Sequence, residues 1–212
     1  MTGLVLRCVG NLCRVLLDGD GGECDALVKG NLRLKGIRST NPVVVGDRVE
    51  LQPTREDLEH PYYITAICPR RNYIIRKASN LSKESHILAA NVDVALLVVT
   101  MIQPETSFTF VDRFLATAEA YDIPVVLLFN KIDLYGEEEN QRLAEWQSIY
   151  APLGYPTLSI SATEGIGLEE VWPHIAGRIV LLSGHSGVGK SSLINALLPG
   201  SSLRTHSISL AH

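Results

Sequence analysis

Gly184-His185-Ser186-Gly187-Val188-Gly189-Lys190-Ser191 follows the run Arg178-Ile179-Val180-Leu181-Leu182-Ser183 and opens residues 191–198. The run reads as a buried strand and residues 191–198 as a helix. Together they place G-x-x-x-x-G-K-[ST] between strand and helix, the context that this pattern needs. Glycines permit positive φ and close backbone approach, so successive N–H groups can turn inward on an anion while the new helix presents its positive end. The expected ligand is a chain of phosphates held between Gly184 and Ser192, with Lys190 as a mobile charge on the β- and γ-phosphates and the Ser191 hydroxyl in an octahedral Mg²⁺ shell. The alternative is a glycine-rich turn carrying an exposed lysine.

Upstream of this loop, apolar runs at 92–100, 123–129 and 157–160 read as buried strands, and 110–121, 137–150 and 168–178 read as helices. Strands alternating with helices give a parallel, doubly wound sheet, whose ligands gather at the carboxyl ends of the strands. Two further motifs lie at such ends: Asn130-Lys131-Ile132-Asp133 follows Phe129, and Ser161-Ala162 follows Ile160. All three loops should open on one edge, where a single nucleotide can meet them.

The residue types at these loops suit guanine. An ionised Asp133 can accept from N1–H and from the exocyclic amino group, a bidentate pair that adenine cannot supply. Leaving such a site unpaired disfavours the wrong base by several kcal/mol. Asn130 can bridge the loops, the Lys131 stem can lie across the base, and the Ala162 N–H can donate to O6. Taken alone, Asn-Lys-x-Asp is equally an Asx turn capping the next helix.

The first third of the chain has another texture. Short strands at 4–8, 12–17, 25–28, 43–51 and 62–67 are separated by Gly, Asn and Asp turn signals, which suggests a small closed barrel of OB type. The basic residues Lys29, Arg33, Lys35 and Arg38 fit either a solvated loop or contact with an RNA backbone. Tyr62 and Tyr63 are the aromatics available there for base stacking. Residues 71–89 carry charge without regular periodicity and read as a basic linker, leaving 1–70 as the barrel and 90–212 as the nucleotide-binding domain. Cys8, Cys13, Cys24 and Cys68 form no C-x-x-C pair and read as reduced thiols in or near strands.

The totals exclude several classes. Among 212 residues, 46% are hydrophobic and 20% charged, as in a globular protein. A net charge of −4 gives no global attraction to nucleic acid, so RNA contact would rest on a local patch. The start, Met1-Thr2-Gly3-Leu4-Val5-Leu6-Arg7-Cys8, has no leader-like pattern and no apolar run reaches membrane-spanning length, so the expectation is a cytoplasmic protein without a membrane partner.

These motifs resemble those of translation-factor and Ras-like GTPases in a rearranged order, with N-K-x-D first, S-A second and the P-loop last. Circular permutation accounts for the order, because joining old termini and opening a surface loop leaves the sheet intact. A permuted GTPase behind an OB-like barrel resembles the ribosome small-subunit-dependent GTPases, the RsgA or YjeQ family. Val45-Gly46-Asp47-Arg48-Val49, Ala89-Ala90-Asn91-Val92-Asp93, Val111-Asp112-Arg113-Phe114 and Ser191-Ser192-Leu193-Ile194-Asn195 agree with it.

The resemblance implies hydrolysis of GTP to GDP and phosphate stimulated by the small (30S) ribosomal subunit, a role in its late maturation, and contact with its rRNA by a monomer. The family continues into a switch segment and a helical domain that holds zinc; this sequence stops at Ser207-Ile208-Ser209-Leu210-Ala211-His212, so zinc is expected only beyond it. The expected nucleotide contacts are Asn130, Lys131, Ile132, Asp133, Ser161, Ala162, Gly184, His185, Ser186, Gly187, Val188, Gly189, Lys190, Ser191 and Ser192, with Ser191 on Mg²⁺. No residue is assigned to orient the attacking water, His185 included. Two rival readings are a binding module for guanine nucleotide and rRNA with little or no turnover, and an ATP-using P-loop enzyme, against which Asp133 argues.

Overall fold

A computed structural model describes residues 1–19, 21–29, 32, 42–54, 61–77 and 85–198. The chain divides into two compact units, Met1–Val92 and Asp93–His212.

In the first unit β1 (Thr2–Val9), β2 (Leu12–Leu17), β3 (Glu23–Val28), β4 (Arg48–Pro53) and β5 (Tyr62–Ile67) close into a barrel of order β1-β2-β3-β5-β4. Only β3 and β5 pair in parallel among its neighbours; the rest are antiparallel. Alternation along the strands sends Val5, Cys13, Val15, Ala26, Val49, Leu51 and Ile64 inward to form the core. This is the OB-like barrel expected from the turn spacing. Lys29 is exposed beside it, while Arg33, Lys35 and Arg38 lie outside the described residues.

Two readings of this unit are corrected. Residues 71–89 are not a featureless linker: β6 (Tyr73–Lys77) and β7 (Ser85–Ala90) pair antiparallel, and Ile87 and Ala90 pack with Val44, Tyr73 and Ile75. The pair is held by contacts to partners distant in sequence, Val44 among them, so the segment carries no regular periodicity of its own. Cys8 and Cys13 are not reduced thiols but form a disulfide, because they face each other across the β1–β2 ladder with Cα atoms 4.2 Å apart. Cys24 and Cys68 are free thiols.

A buried charge organises the unit. The Asp47 carboxylate is fully buried and accepts from Arg70 Nε at 2.6 Å, Arg70 Nη2 at 2.7 Å and the Val44 N–H at 2.9 Å. Beside it the Ala90 N–H donates to Val45 O and Asn91 Nδ2 to Gly46 O, both at 2.9 Å. Thus 45–49 and 89–92, two of the stretches carrying the family resemblance, meet as a structural joint.

The second unit holds a parallel sheet of order β10-β9-β8-β11, made of β8 (Val94–Val99), β9 (Val125–Asn130), β10 (Thr157–Ile160) and β11 (Val180–Ser183). All residues of β8 and β9 are buried, as expected of central strands covered on both faces. Helix α1 (Phe108–Ala120) is capped by Ser107 and buries Val111, Leu115 and Ala118 at helical spacing. Helix α2 (Glu137–Tyr150) opens with three glutamates, which suit its positive end, and buries Leu143, Trp146 and Tyr150. The helix read at 168–178 is largely replaced by a 3₁₀ turn, Leu168–Glu170, and a single-turn α3 (Trp172–Ile175). Pro173 is acceptable only in a first turn, so the helix starts there, and Gly177 in the left-handed region ends it.

The side to which strands are added switches at β8: β9 and β10 build to one side, and β11 with α4 (Lys190–Leu197) to the other. The carboxyl ends of β8 and β11 therefore flank a topological switch point. A cavity of about 450 Å³ lies at the opposite edge, beside Val94, Val125, Tyr155 and Arg178, and away from the three motifs. Among the described residues no helix is long and apolar enough to cross a membrane.

Candidate functional site

The loop leaving β11 is fitted to its neighbours at two glycines. Gly184 has φ +142°, and a Cβ there would lie 2.5 Å from Val98 O on β8; Gly189 has φ +95°, and a Cβ there would lie 2.3 Å from Asn130 Nδ2 on β9. Both contacts are closer than any side chain permits, so the loop is seated on the two central strands. Gly189 is also the N-cap of α4 and offers no capping side chain, which leaves the first amides of that helix for an acceptor from outside. Val188 is fully buried and anchors the loop in the core of the sheet, while His185 and Ser186 are exposed at its rim. Gly187 (φ +84°) and the half-buried Ser191 and Ser192 complete the concave backbone.

Lys190 folds over this loop and donates to Gly184 O at 2.8 Å and His185 O at 2.6 Å. Its partial burial pushes the ammonium pKa below the usual lysine value, the expected sign for a cation removed from water with only neutral acceptors. A phosphate chain would supply the missing negative charge.

Asn130, the last residue of β9, joins the three loops. Its buried amide donates to Val188 O of the P-loop at 2.8 Å and accepts from the Ala162 N–H at 3.0 Å. The bridge expected of Asn130 is therefore present. The Ala162 N–H is engaged by it and does not stand open for a base oxygen. Ser161 is buried and builds its own turn: its Oγ accepts from the Glu164 N–H at 3.1 Å, and its backbone pairs with Ile166.

Lys131 has left-handed backbone (φ +69°), which turns the chain sharply after the strand and into the 3₁₀ turn Ile132–Leu134. Its ammonium donates to Gln103 O, and burial lowers its pKa while the neighbouring Asp133 opposes that shift. Half-buried Ile132 leads to Asp133, which is exposed at the rim and whose carboxylate takes no hydrogen bond from the described residues. An exposed carboxylate with no hydrogen bond from the described residues can accept from a ligand.

Sequence reading missed the segment after β8. Thr100 and Thr106 close residues 100–106 into a tight loop: the Thr100 N–H donates to Thr106 Oγ1 at 3.1 Å and the Thr106 N–H to Thr100 O at 2.9 Å. This loop holds Gln103 against Lys131. It then feeds α1, whose Phe110 stacks on His185 with ring centroids 3.8 Å apart. His185 thus has a packing role at the edge of the P-loop. Tyr135, two residues after Asp133, ties the same loop to Asn130 through its hydroxyl. The only signal for it in the sequence is an aromatic with a polar tip at a loop where that tip needs a partner.

Comparison with known proteins fits this geometry. The RsgA GTPase family model matches residues 67–212. The small ribosomal subunit biogenesis GTPase RsgA of Porphyromonas gingivalis is 56% identical over the whole chain, which spans 67% of that relative, and its counterpart in Bacteroides fragilis is 53% identical with the same coverage. The crystal structure of YjeQ from Thermotoga maritima superposes with a TM-score of 0.77 at 36% identity, covering 97% of this chain and 68% of that one. YloQ, described as a circularly permuted GTPase, gives a TM-score of 0.72 at 28% identity over 93% of this chain and 64% of its own. With the permuted motif order, the barrel and the sheet in agreement, the chain belongs to the RsgA GTPase family.

Proposed function

We propose that the chain is the guanine-nucleotide-binding part of a GTPase that hydrolyses GTP to GDP and phosphate in biogenesis of the small ribosomal subunit. The observation that carries this reading is Asn130, which locks the P-loop, the Asn-Lys-x-Asp turn and the Ser-Ala turn into one edge. GTP or GDP enters with its base against Asp133 and its phosphates over residues 184–192.

Asp133 pairs with N1–H and the amino group of guanine and Lys131 covers the base, while the Ala162 N–H stays on Asn130 Oδ1 and holds the Ser-Ala turn in place. Lys190 leaves the carbonyls of Gly184 and His185 for the β- and γ-phosphates. Ser191, half-buried in the first turn of α4 behind an uncapped N-terminus, fits a Mg²⁺ ligand. Bound there, Mg²⁺ would neutralise phosphate charge. Nothing among the described residues is assigned to zinc or to orienting the attacking water. The barrel docks on rRNA, with Lys29 among its exposed basic residues, and the protein works in the cytoplasm where subunits mature.

The test is GTP turnover by the 212-residue chain with and without purified small ribosomal subunits, with ATP as control. Turnover that is selective for GTP and stimulated by the subunit supports the reading. GDP binding without any turnover would make this chain a nucleotide-binding module, and equal use of ATP would overturn the assignment of Asp133.

A further inference from the structure

We infer that Tyr135 is a positioning residue for guanine recognition, acting through the Asn-Lys-x-Asp turn without touching the nucleotide. The inference rests on the guanine reading above. The Tyr135 hydroxyl donates to Asn130 O at 2.8 Å and accepts from the Met101 N–H at 3.0 Å, so one oxygen bridges the last residue of β9 and the buried Met101, the second residue beyond β8. Two backbone groups, 29 residues apart in sequence, are joined through that hydroxyl, beside the Lys131 ammonium that donates to Gln103 O between the same two segments.

The bridge lies where the backbone most needs support. Lys131 directly follows Asn130 in the left-handed region, an unfavourable conformation for a side chain with a Cβ and one kept only where surroundings over-determine it. On the C-terminal side the Leu134 N–H donates to Lys131 O at 2.9 Å and the Tyr135 N–H to Ile132 O at 3.2 Å, so the turn bearing Asp133 is closed by Tyr135's own backbone. On the N-terminal side Tyr135's hydroxyl holds Asn130 O. Asp133 is thus suspended between two anchors on one residue. The far anchor is itself rigid, since Thr100 and Thr106 close the loop that presents Met101 and Gln103.

A carboxylate that pairs with two donors of one base depends on orientation more than one that makes a single contact. Loosening this turn should therefore weaken the contact to the guanine 2-amino group more than it weakens phosphate binding. Inosine diphosphate lacks that amino group and is otherwise the same ligand. The ratio of its dissociation constant to that of GDP reads the orientation of Asp133, whereas general destabilisation weakens both alike.

The experiment measures GDP and inosine diphosphate binding to the 212-residue chain and its Tyr135→Phe variant, by competition with a fluorescent GDP. Tyr135→Phe keeps the ring and loses both hydrogen bonds. It is expected to weaken GDP about tenfold and inosine diphosphate about twofold, narrowing the ratio about fivefold. An unchanged ratio overturns the inference. Thr106→Val loosens the loop bearing Met101 from its other side and is expected to narrow the ratio about twofold; it decides the matter should Tyr135→Phe not fold. A wild-type chain that prefers GDP beside a variant that prefers it equally would sink the role of Tyr135 and spare the guanine reading. A wild-type chain with no preference between the two would sink both.

Discussion

Asn130 carries more of this site than its place in a four-residue motif suggests. Replacing it by Ala leaves Val188 O and the Ala162 N–H without partners in a buried setting, at a cost of about 1–3 kcal/mol for each. We expect Asn130→Ala to lower unfolding stability by about 2–6 kcal/mol in a urea titration and to weaken GDP at the same time, because the P-loop loses its tie. Asp133→Asn should act differently. Asp133 is exposed and supports nothing in the fold, so stability should stay within about 0.5 kcal/mol of wild type while GDP affinity falls by about 2–3 kcal/mol as the charge-assisted pair is lost. Calorimetric titration against GDP separates the two. Tyr135 gives a pH signature. Burial and the neighbouring Asp133 push its phenol from 10.0 to about 12 against the favourable Met101 N–H. A folded pKa above the unfolded one means that its stabilisation is complete below pH 10 and is lost as pH rises from 10 to about 12. The wild type should lose melting temperature more steeply over that window than Tyr135→Phe. Asn130, Asp133 and Lys190 were legible in the sequence because their chemistry travels in short motifs. Tyr135 was not, because Met101, which gives it meaning, lies 34 residues away.

At the scale of elements, the strand-loop-helix unit of β11, the P-loop and α4 is where local sequence and tertiary packing agree most closely. Gly189 needs both a positive φ and open space against Asn130 Nδ2. Gly189→Ala should therefore cost about 2–3 kcal/mol and abolish measurable GDP binding. Because the clash is with one side chain, Asn130→Ala should relieve part of it: the double variant is expected to be more stable than the sum of the singles by about 1 kcal/mol in a double-mutant cycle. Strict additivity would show that the contact is not what fixes the glycine. The same scale explains the misread elements. Helix α2 matched its expected bounds because a run of glutamates starts it and its apolar spacing is unbroken. The expectation for 168–178 counted apolar spacing and passed over Pro173 and Gly177, the residues that limit α3 to Trp172–Ile175. The β6–β7 pair was missed because its core contacts run to Val44, far away in sequence, and no periodicity inside 71–89 shows that.

At the scale of the molecule, permutation leaves the order of motifs changed and the order of strands in space unchanged. Each loop still leaves the carboxyl end of its own parallel strand, so the site depends on the sheet and not on where the chain opens. The barrel was legible from turn spacing, but its buried pair was not, since Asp47 and Arg70 are far apart in sequence and each reads as an ordinary surface charge. Arg70→Met would leave the Asp47 charge buried with only a backbone amide for company and should destabilise the first unit by about 3–5 kcal/mol, seen in a urea titration followed by far-ultraviolet circular dichroism. Every residue assigned to the nucleotide lies in the second unit, and the central claim is that its three loops together select guanine. Equilibrium binding of GDP and ADP to this chain in the presence of Mg²⁺ tests that most directly. The account predicts GDP bound at least about a hundredfold more tightly than ADP, the discrimination expected of a carboxylate paired with two donors of one base. Equal affinity for the two, or binding of neither, would contradict it.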